Sequence, residues 1–355
     1  MPKRRVTLAQ VAEEAGVSST TASFVLSGRT DMRISVDAQR RVREAADRLR
    51  YRPNLTARGL RTNVTHTLGL VSDTIATSQF TGEIIQGAVD EATAHQRMLF
   101  VGETQGNLDL ESRLIQELLD RQVDGFVYAV MGPRPCAPPD LLRTRPTVLL
   151  QCIADSFDVP NVMPDDVGAG REAALALMAA GHREGVYAVG AHHRSERLPE
   201  GIPAGRARMR GVEEVLDEYG VRLAGTFQCR WEPAESYEAV SSLLDSGIRP
   251  RALICANDRV AMGAYQALQG RGLRIPEDTS VVSFDDSDLA VWLRPALSSV
   301  DLPYYEMGRL AVRLLVDPDR KAGVHQVPMR MVARDSVAPP AGRTDPAATR
   351  SGGRA

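Results

Sequence analysis

From Thr67 onward the chain repeats one pattern, a short apolar run followed by a longer amphipathic stretch. The runs are "TLGLVS", "MLFVGE", "GFVYAV", "TVLLQ", "GVYAVG", "ALICAN" and "SVVSFD". Between them lie helix-like segments at 82–95, 109–121, 170–180, 206–219, 235–246 and 258–271. Short strands alternating with helices specify a parallel sheet covered by helices. About 270 residues of this pattern exceed one comfortable unit, so two similar α/β lobes are expected. Ligands of such sheets bind beyond the carboxyl ends of the strands. Residues 338–355, "APPAGRTDPAATRSGGRA", are rich in Pro, Gly and Ala and read as a disordered tail.

The first residues follow a different rule. The whole chain of 355 residues carries a net charge of −2, but residues 1–62 carry +7 and the remainder −9. A small basic head on an acidic body suggests that the head meets a polyanion; a merely solvated basic face is the alternative. Thr7 can cap a helix in which Leu8, Val11, Ala12 and Ala15 follow helical spacing. Gly16 then allows a sharp turn, and Ser18 can cap a second helix running through Leu26. Ser35 can cap a third, with Val36, Val42, Ala45, Ala46 and Leu49 as its apolar side. Helix, tight turn, helix and supporting helix form a helix-turn-helix pattern. Residues 51–65 are polar, and Pro53 and Asn54 can open a short helix through Leu60. Such a helix is too short to stand alone, so the segment is a linker or folds on binding.

Several function classes are excluded. There is no run of 18 apolar residues and hence no transmembrane helix. The basic start lacks the apolar stretch of a secretory signal, which points to the cytoplasm. Cys136, Cys152, Cys229 and Cys255 are scattered without CxxC spacing and read as buried free thiols. No P-loop, HExxH or GxSxG motif occurs. "GAGREA" at 168–173 matches a dinucleotide loop only loosely, and His192–His193 reads as part of a solvated loop. No enzyme activity, cofactor or metal is expected.

Six stretches, in order, resemble the LacI/GalR family of bacterial transcription regulators. They are "VTLAQVAEEAGVSSTTASFVLSGR", "ISVDAQRRVREAADRLRYRPN", "PNLTARGLRT", "HTLGLVSDTIATSQFTGEIIQGA", "ICANDRVAMGAYQAL" and "VVSFDD". The resemblance implies an N-terminal all-α helix-turn-helix domain (1–50) and a hinge segment with a hinge helix (51–65). A C-terminal α/β domain (66–337) would follow, two-lobed, periplasmic-binding-protein-like (type I) and built on parallel sheets. It implies a homodimer on a pseudo-palindromic double-stranded DNA operator, a small-molecule effector that is a sugar or sugar derivative, and repression. No C-terminal heptad run suggests a tetramer. Two alternatives stay open: a transport-type sugar-binding protein without DNA function, and a regulator that uses a purine or nucleoside as corepressor.

The resemblance also carries residue roles. Ser19, Thr20 and Phe24 fall at base-facing positions, and Thr7, Thr21 and Ser23 where hydroxyls meet phosphates. Arg29 and Asn54 belong to the same DNA-binding set. Leu60 falls at the hinge wedge that opens the minor groove, with Ala57 on the same face. Phe24 departs from the arginine common there: a phenyl ring cannot fork to guanine, but it can touch a thymine methyl or pack into the domain. For the effector, Arg208, Asn257 and Asp285 match polar positions at or just beyond strand ends, where donors and acceptors can hold vicinal hydroxyls. Trp231, Tyr304 and Phe80 supply aromatic faces. Asp258 and Asp286 are read as backbone anchors or caps, and Asp165 as pocket or scaffold.

Overall fold

The computed structural model of the chain describes residues 6–27, 33–51, 64–78, 81–154, 157–190 and 203–340. It divides into two units, residues 1–66 with 122–124, and the rest.

The first unit holds α1 (Leu8–Ala15), α2 (Ser19–Leu26) and α3 (Val36–Arg48). Each start is capped by the hydroxyl the sequence supplies. Thr7 and Gln10 form a reciprocal capping box, with Thr7 N donating to Gln10 Oε1 at 2.9 Å. Thr21 N donates to Ser18 Oγ at 3.1 Å, and Ala38 N to Ser35 Oγ at 3.3 Å. Gly16 ends α1 in the left-handed conformation (φ 63°), which turns the chain sharply into α2. Val11, Ala12, Ala15, Ala22, Val25, Val42, Ala45 and Ala46 make the core. Val36 does not join it and is 83% exposed. It precedes Val42 by six positions, about one and two-thirds helical turns, so it falls well off the buried face.

The second unit contains two six-stranded sheets. The first has order β11-β5-β4-β3-β1-β2, built from β1 (Thr67–Ser72), β2 (Met98–Glu103), β3 (Phe126–Pro135), β4 (Thr147–Ile153), β5 (Pro160–Pro164) and β11 (Gly323–Val327). All its pairings are parallel. Helices α4 (Gly82–Ala94), α5 (Leu108–Asp120) and α11 (Tyr304–Val316) belong to this lobe. The second sheet has order β12-β10-β9-β8-β6-β7, from β6 (Val186–Val189), β7 (Gly225–Phe227), β8 (Ala252–Cys255), β9 (Ser280–Asp285), β10 (Ser298–Asp301) and β12 (Met331–Val332). Only β12 runs antiparallel. Its helices are α6 (Asp166–Ala179), α7 (Pro203–Glu218), α8 (Pro233–Asp245), α9 (Asp258–Gln269) and α10 (Asp288–Trp292).

The chain leaves the first lobe after β5, returns with α11 and β11, and goes back for β12. Each lobe therefore has its own apolar core, with Leu70, Val127 and Val148 under Met307 and Ala311 in the first. In the second, Ala174, Val212, Ile254 and Phe284 lie on one side of the sheet and Leu253, Val281 and Ala264 on the other. Helices α6 and α7 meet backbone to backbone. A Cβ on Gly170 would lie 1.9 Å from the Arg208 carbonyl, and one on Gly211 2.0 Å from that of Val167.

Two further expectations change. Cys136 and Cys152 are not free thiols but a disulfide that ties the residue just after β3 to β4; Cys229 and Cys255 are free and buried. The pairing is made by strand register, which spacing along the chain does not reveal. Residues 338–340, placed in the tail by composition, are described, and Ala338 is tied to the second sheet. Its N donates to Ser280 Oγ at 3.2 Å, and its carbonyl lies 3.0 Å from His182 Nε2. The remainder of that tail lies outside the described residues.

Candidate functional site

The first unit offers one face of α2. Ala22 and Val25 turn inward; Ser19 and Thr20 are exposed, while Thr21, Ser23 and Phe24 are half-buried. Phe24 lies outside the apolar cluster that Val17, Leu26 and Tyr51 pack against. The first turn of α2 carries no acidic residue, so its free N–H groups and positive dipole end are open to a phosphate. Thr7 is exposed, with its hydroxyl engaged in the α1 cap. On α3, Arg40 and Arg41 pair with Asp37, Arg40 also with Glu44, and Arg48 with Glu14. Arg29, Asn54, Ala57 and Leu60 lie outside the described residues.

The second unit contains a cavity of about 350 Å³ with walls from both lobes. Five of the six sequence-derived effector residues line it: Arg208, Trp231, Asn257, Asp285 and Tyr304. The sixth, Phe80, lies outside the described residues. Arg208 comes from the middle of α7 rather than from a strand end, which corrects the sequence reading. It is reached because α7 packs so closely on α6.

Arg208 organises the second-lobe wall. Its Nε donates to Asp166 Oδ1 at 2.9 Å and its Nη1 to the Ala256 carbonyl at 2.8 Å. Asp285 Oδ1 lies 3.5 Å from the same Nη1. The guanidinium sits over the Phe284 ring at 4.8 Å and the Trp231 ring at 5.5 Å. Asp285 has φ 104° and Asp286 φ 48°, so the turn after β9 is backbone-strained, as functional turns often are. Desolvation pushes the Asp285 carboxyl up to about 7, against the pull of Arg208. Burial likewise raises Asp166, with Arg208 opposing it. The Tyr304 phenol is pushed up by desolvation and by Asp285, which keeps it a neutral hydrogen-bond donor.

Other polar groups are committed to the scaffold. Asn257 caps α9 through its carbonyl, which accepts from Val260 N at 2.8 Å, leaving its amide N–H groups for a ligand. Trp231 Nε1 donates to the Gly190 carbonyl at 2.9 Å, so what it offers is its ring. Asp258 accepts from Ser283 and Ser299 hydroxyls and from both N and Oγ of Ser287. Asp286 pairs with Arg334, and Asp165 caps α6 by accepting from Gly168 N at 2.9 Å. Asp166, the next residue, is the one in the cleft.

Two first-lobe contributors were missed from sequence. Gln151 ends the "TVLLQ" run, lines the cavity, has φ 59°, and its buried Nε2 lacks a hydrogen-bond partner. A lone amide in the carboxyl half of an apolar strand was the available signal. Arg134, on the outer end of β3, is held by Asp73 at 2.6 Å.

A helix-turn-helix unit joined to a two-lobed ligand-binding unit defines a DNA-binding regulator. Residues 7–54 match the profile of bacterial regulatory proteins of the lacI family, and residues 174–337 that of a periplasmic binding protein-like domain. Catabolite control protein A of Priestia megaterium is 30% identical over 339 residues, covering 94% of this chain and 99% of that protein. The fold matches the Lac repressor dimer bound to operator and the anti-inducer ONPF, with TM-score 0.76 at 22% identity over 94% of this chain and all of the other. It also matches the complex of the transcriptional regulator CelR with cellobiose, with TM-score 0.63 at 25% identity over 94% and 100%. The chain belongs to the lacI family of DNA-binding transcriptional regulators. The transport-type alternative falls with that assignment.

Proposed function

We propose that the chain is a cytoplasmic, non-enzymatic repressor whose operator binding is set by a sugar or sugar derivative in the cleft. The carrying observation is the Arg208 cluster. A guanidinium fixed by Asp166, a carboxylate at Asp285 and an amide at Asn257 offer donors and acceptors to neighbouring hydroxyls. Trp231 and Tyr304 offer aromatic surface to the apolar face of a pyranose. The CelR relative supports this ligand class. Ser19, Thr20 and Phe24 read bases, Thr7, Thr21 and Ser23 meet phosphates, and Arg29, Asn54, Ala57 and Leu60 complete the contact to DNA.

The regulator acts as a homodimer. Met98 (61% exposed), Phe100 and Val101 on the edge strand β2, with Leu108 (74% exposed) at the start of α5, form an apolar edge suited to a second copy. Effector binding favours one arrangement of the lobes, and the hinge segments carry that change to the DNA. The test is a thermal-shift panel of sugars and nucleobases with the full chain, followed by gel shifts on genomic fragments. A ligand at 100 times its Kd stabilises by about 2.7 kcal/mol. Sugar hits that alter the gel shift are expected; nucleobase hits alone would transfer the reading to purine corepression.

A further inference from the structure

The Cys136–Cys152 bridge lies outside everything the cleft reading uses. Its Cα atoms are 5.7 Å apart, within the range a disulfide needs. Cys152 is fully buried and Cys136 is half-exposed, so a small reagent reaches the pair from one side. The other two thiols make a contrast. Desolvation pushes Cys229 up to about 12 and Cys255 well above its ordinary value, and a thiol that does not ionise is a poor nucleophile.

What the bridge holds is Met131–Pro135, of which residues 131–134 line the first-lobe side of the cavity. The sheet holds this segment poorly. The β3–β4 ladder breaks after Ala129 and resumes only at Arg134↔Cys152 and Pro135↔Ile153. Pro133 and Pro135 have no N–H to donate. On the β1 side, Asp73 accepts from Met131 N at 2.9 Å and Arg134 Nη2 at 2.6 Å. On the β4 side the anchors are the resumed ladder at Arg134 and Pro135, the sulfur bridge, and the bond from Cys136 N to the Ile153 carbonyl, 3.0 Å. Both ends of the bridge adjoin cleft-lining groups, Arg134 on one strand and Gln151 on the other.

We propose that Cys136 and Cys152 form a reversible dithiol–disulfide switch that fixes the Met131–Pro135 rim and so couples the cleft to oxidant. The effect on effector binding rests on the cleft reading above; the effect on the rim does not. With hydrogen peroxide as oxidant, the Cys136 thiolate attacks one oxygen, the O–O bond breaks, and hydroxide leaves. The Cys152 thiolate then attacks the Cys136 sulfenic sulfur, the S–O bond breaks, the S–S bond forms, and a second hydroxide leaves. The two thiol protons convert both hydroxides to water, so two thiols and one peroxide give one disulfide and two waters. A dithiol reductant returns two electrons and two protons by exchange and becomes a disulfide itself.

The test treats the full chain with hydrogen peroxide or dithiothreitol, then combines non-reducing peptide mapping with amide hydrogen exchange. Peroxide should yield a 136–152 linked peptide that dithiothreitol removes, with Cys229 and Cys255 unmodified. Exchange of residues 131–136 should be at least about tenfold slower in the oxidised form, with distant segments unchanged. Cys136→Ser should exchange fast under both conditions. No linked peptide, or a linked peptide with unchanged exchange, overturns the switch. Cellobiose, ribose and adenine are then titrated against both forms by thermal shift. A bound probe with equal midpoints in the two forms overturns the coupling. Binding of none in either form counts against the effector reading, while exchange still decides the switch.

Discussion

Helix α2 and the cleft wall around Arg208 keep their functional groups in opposite places. On α2 the residues proposed to read bases lie on the outer face, Ser19 and Thr20 exposed and Phe24 half-buried, above a core of small side chains such as Ala12, Ala15 and Ala22. In the cleft, Arg208 and Asp166 are buried and hold one another, so function and packing share the same atoms. A surface face can change its partner without changing its fold. A buried ion pair cannot lose a member without leaving the other stranded.

That contrast sets an order of expected effects. Arg208→Ala should cost about 3–5 kcal/mol in urea unfolding, because Asp166 is left uncompensated. Thr20→Ala, by comparison, should stay within about 0.5 kcal/mol. A loss below about 1 kcal/mol for Arg208→Ala would erase the distinction between the two regions.

Asp285 tests the same wall through pH. Its carboxyl stands at about 7 in the folded chain, above its unfolded value, so the folded state binds the extra proton. Its contribution to stability is present below about pH 4 and is lost as pH rises through about 7. Asp285→Asn should flatten that decline by on the order of 2–4 kcal/mol, toward the lower end because 27% of the side chain stays open to the cleft. Unfolding curves at pH 4.5 and 8, pH values chosen to bracket the titration, measure it. An unchanged slope would remove Asp285 from the buried network.

Two smaller effects sharpen the surface half. Phe24→Arg should leave the head folded, since Phe24 lies outside the apolar cluster, and should shift base preference at one half-site position by about 1–3 kcal/mol. Selection from randomised half-sites reads it; an unfolded head by circular dichroism would make Phe24 a packing residue. Ser18→Ala removes the α2 cap and should cost about 1 kcal/mol, with half-site preference unchanged. A changed preference would mean that the cap also orients the reading face.

The strands most legible in the sequence were those with unbroken apolar runs, whether buried on both faces like β1 and β9 or at the sheet edge like β2. β1, β2 and β9 fall on the apolar runs read for them, as TLGLVS, MLFVGE and SVVSFD. β5 is bounded by Pro160 and Pro164, which read as loop, and β10 opens with two serines whose burial makes sense only beside Asp258 and Ser336. α6 starts four residues before its expected position because Gly168 and Gly170 suggest a break, whereas a capping carboxylate at Asp165 and a facing helix make them useful. In the cleft, residues with a motif around them were found. Gln151, Asp166 and the sulfur bridge were not, because their meaning depends on neighbours distant along the chain.

The contact at Gly170 and Gly211 bears on how such a cleft could be retargeted. At that crossing backbone lies against backbone with no side-chain layer to compress or repack, so the Cα of Arg208 is pinned as a fixed point. A library aimed at new ligands would waste most of its members on that wall. The more open position is Met131 on the facing lobe, a half-buried lining residue whose side chain can vary in length and polarity while Arg208 stays put.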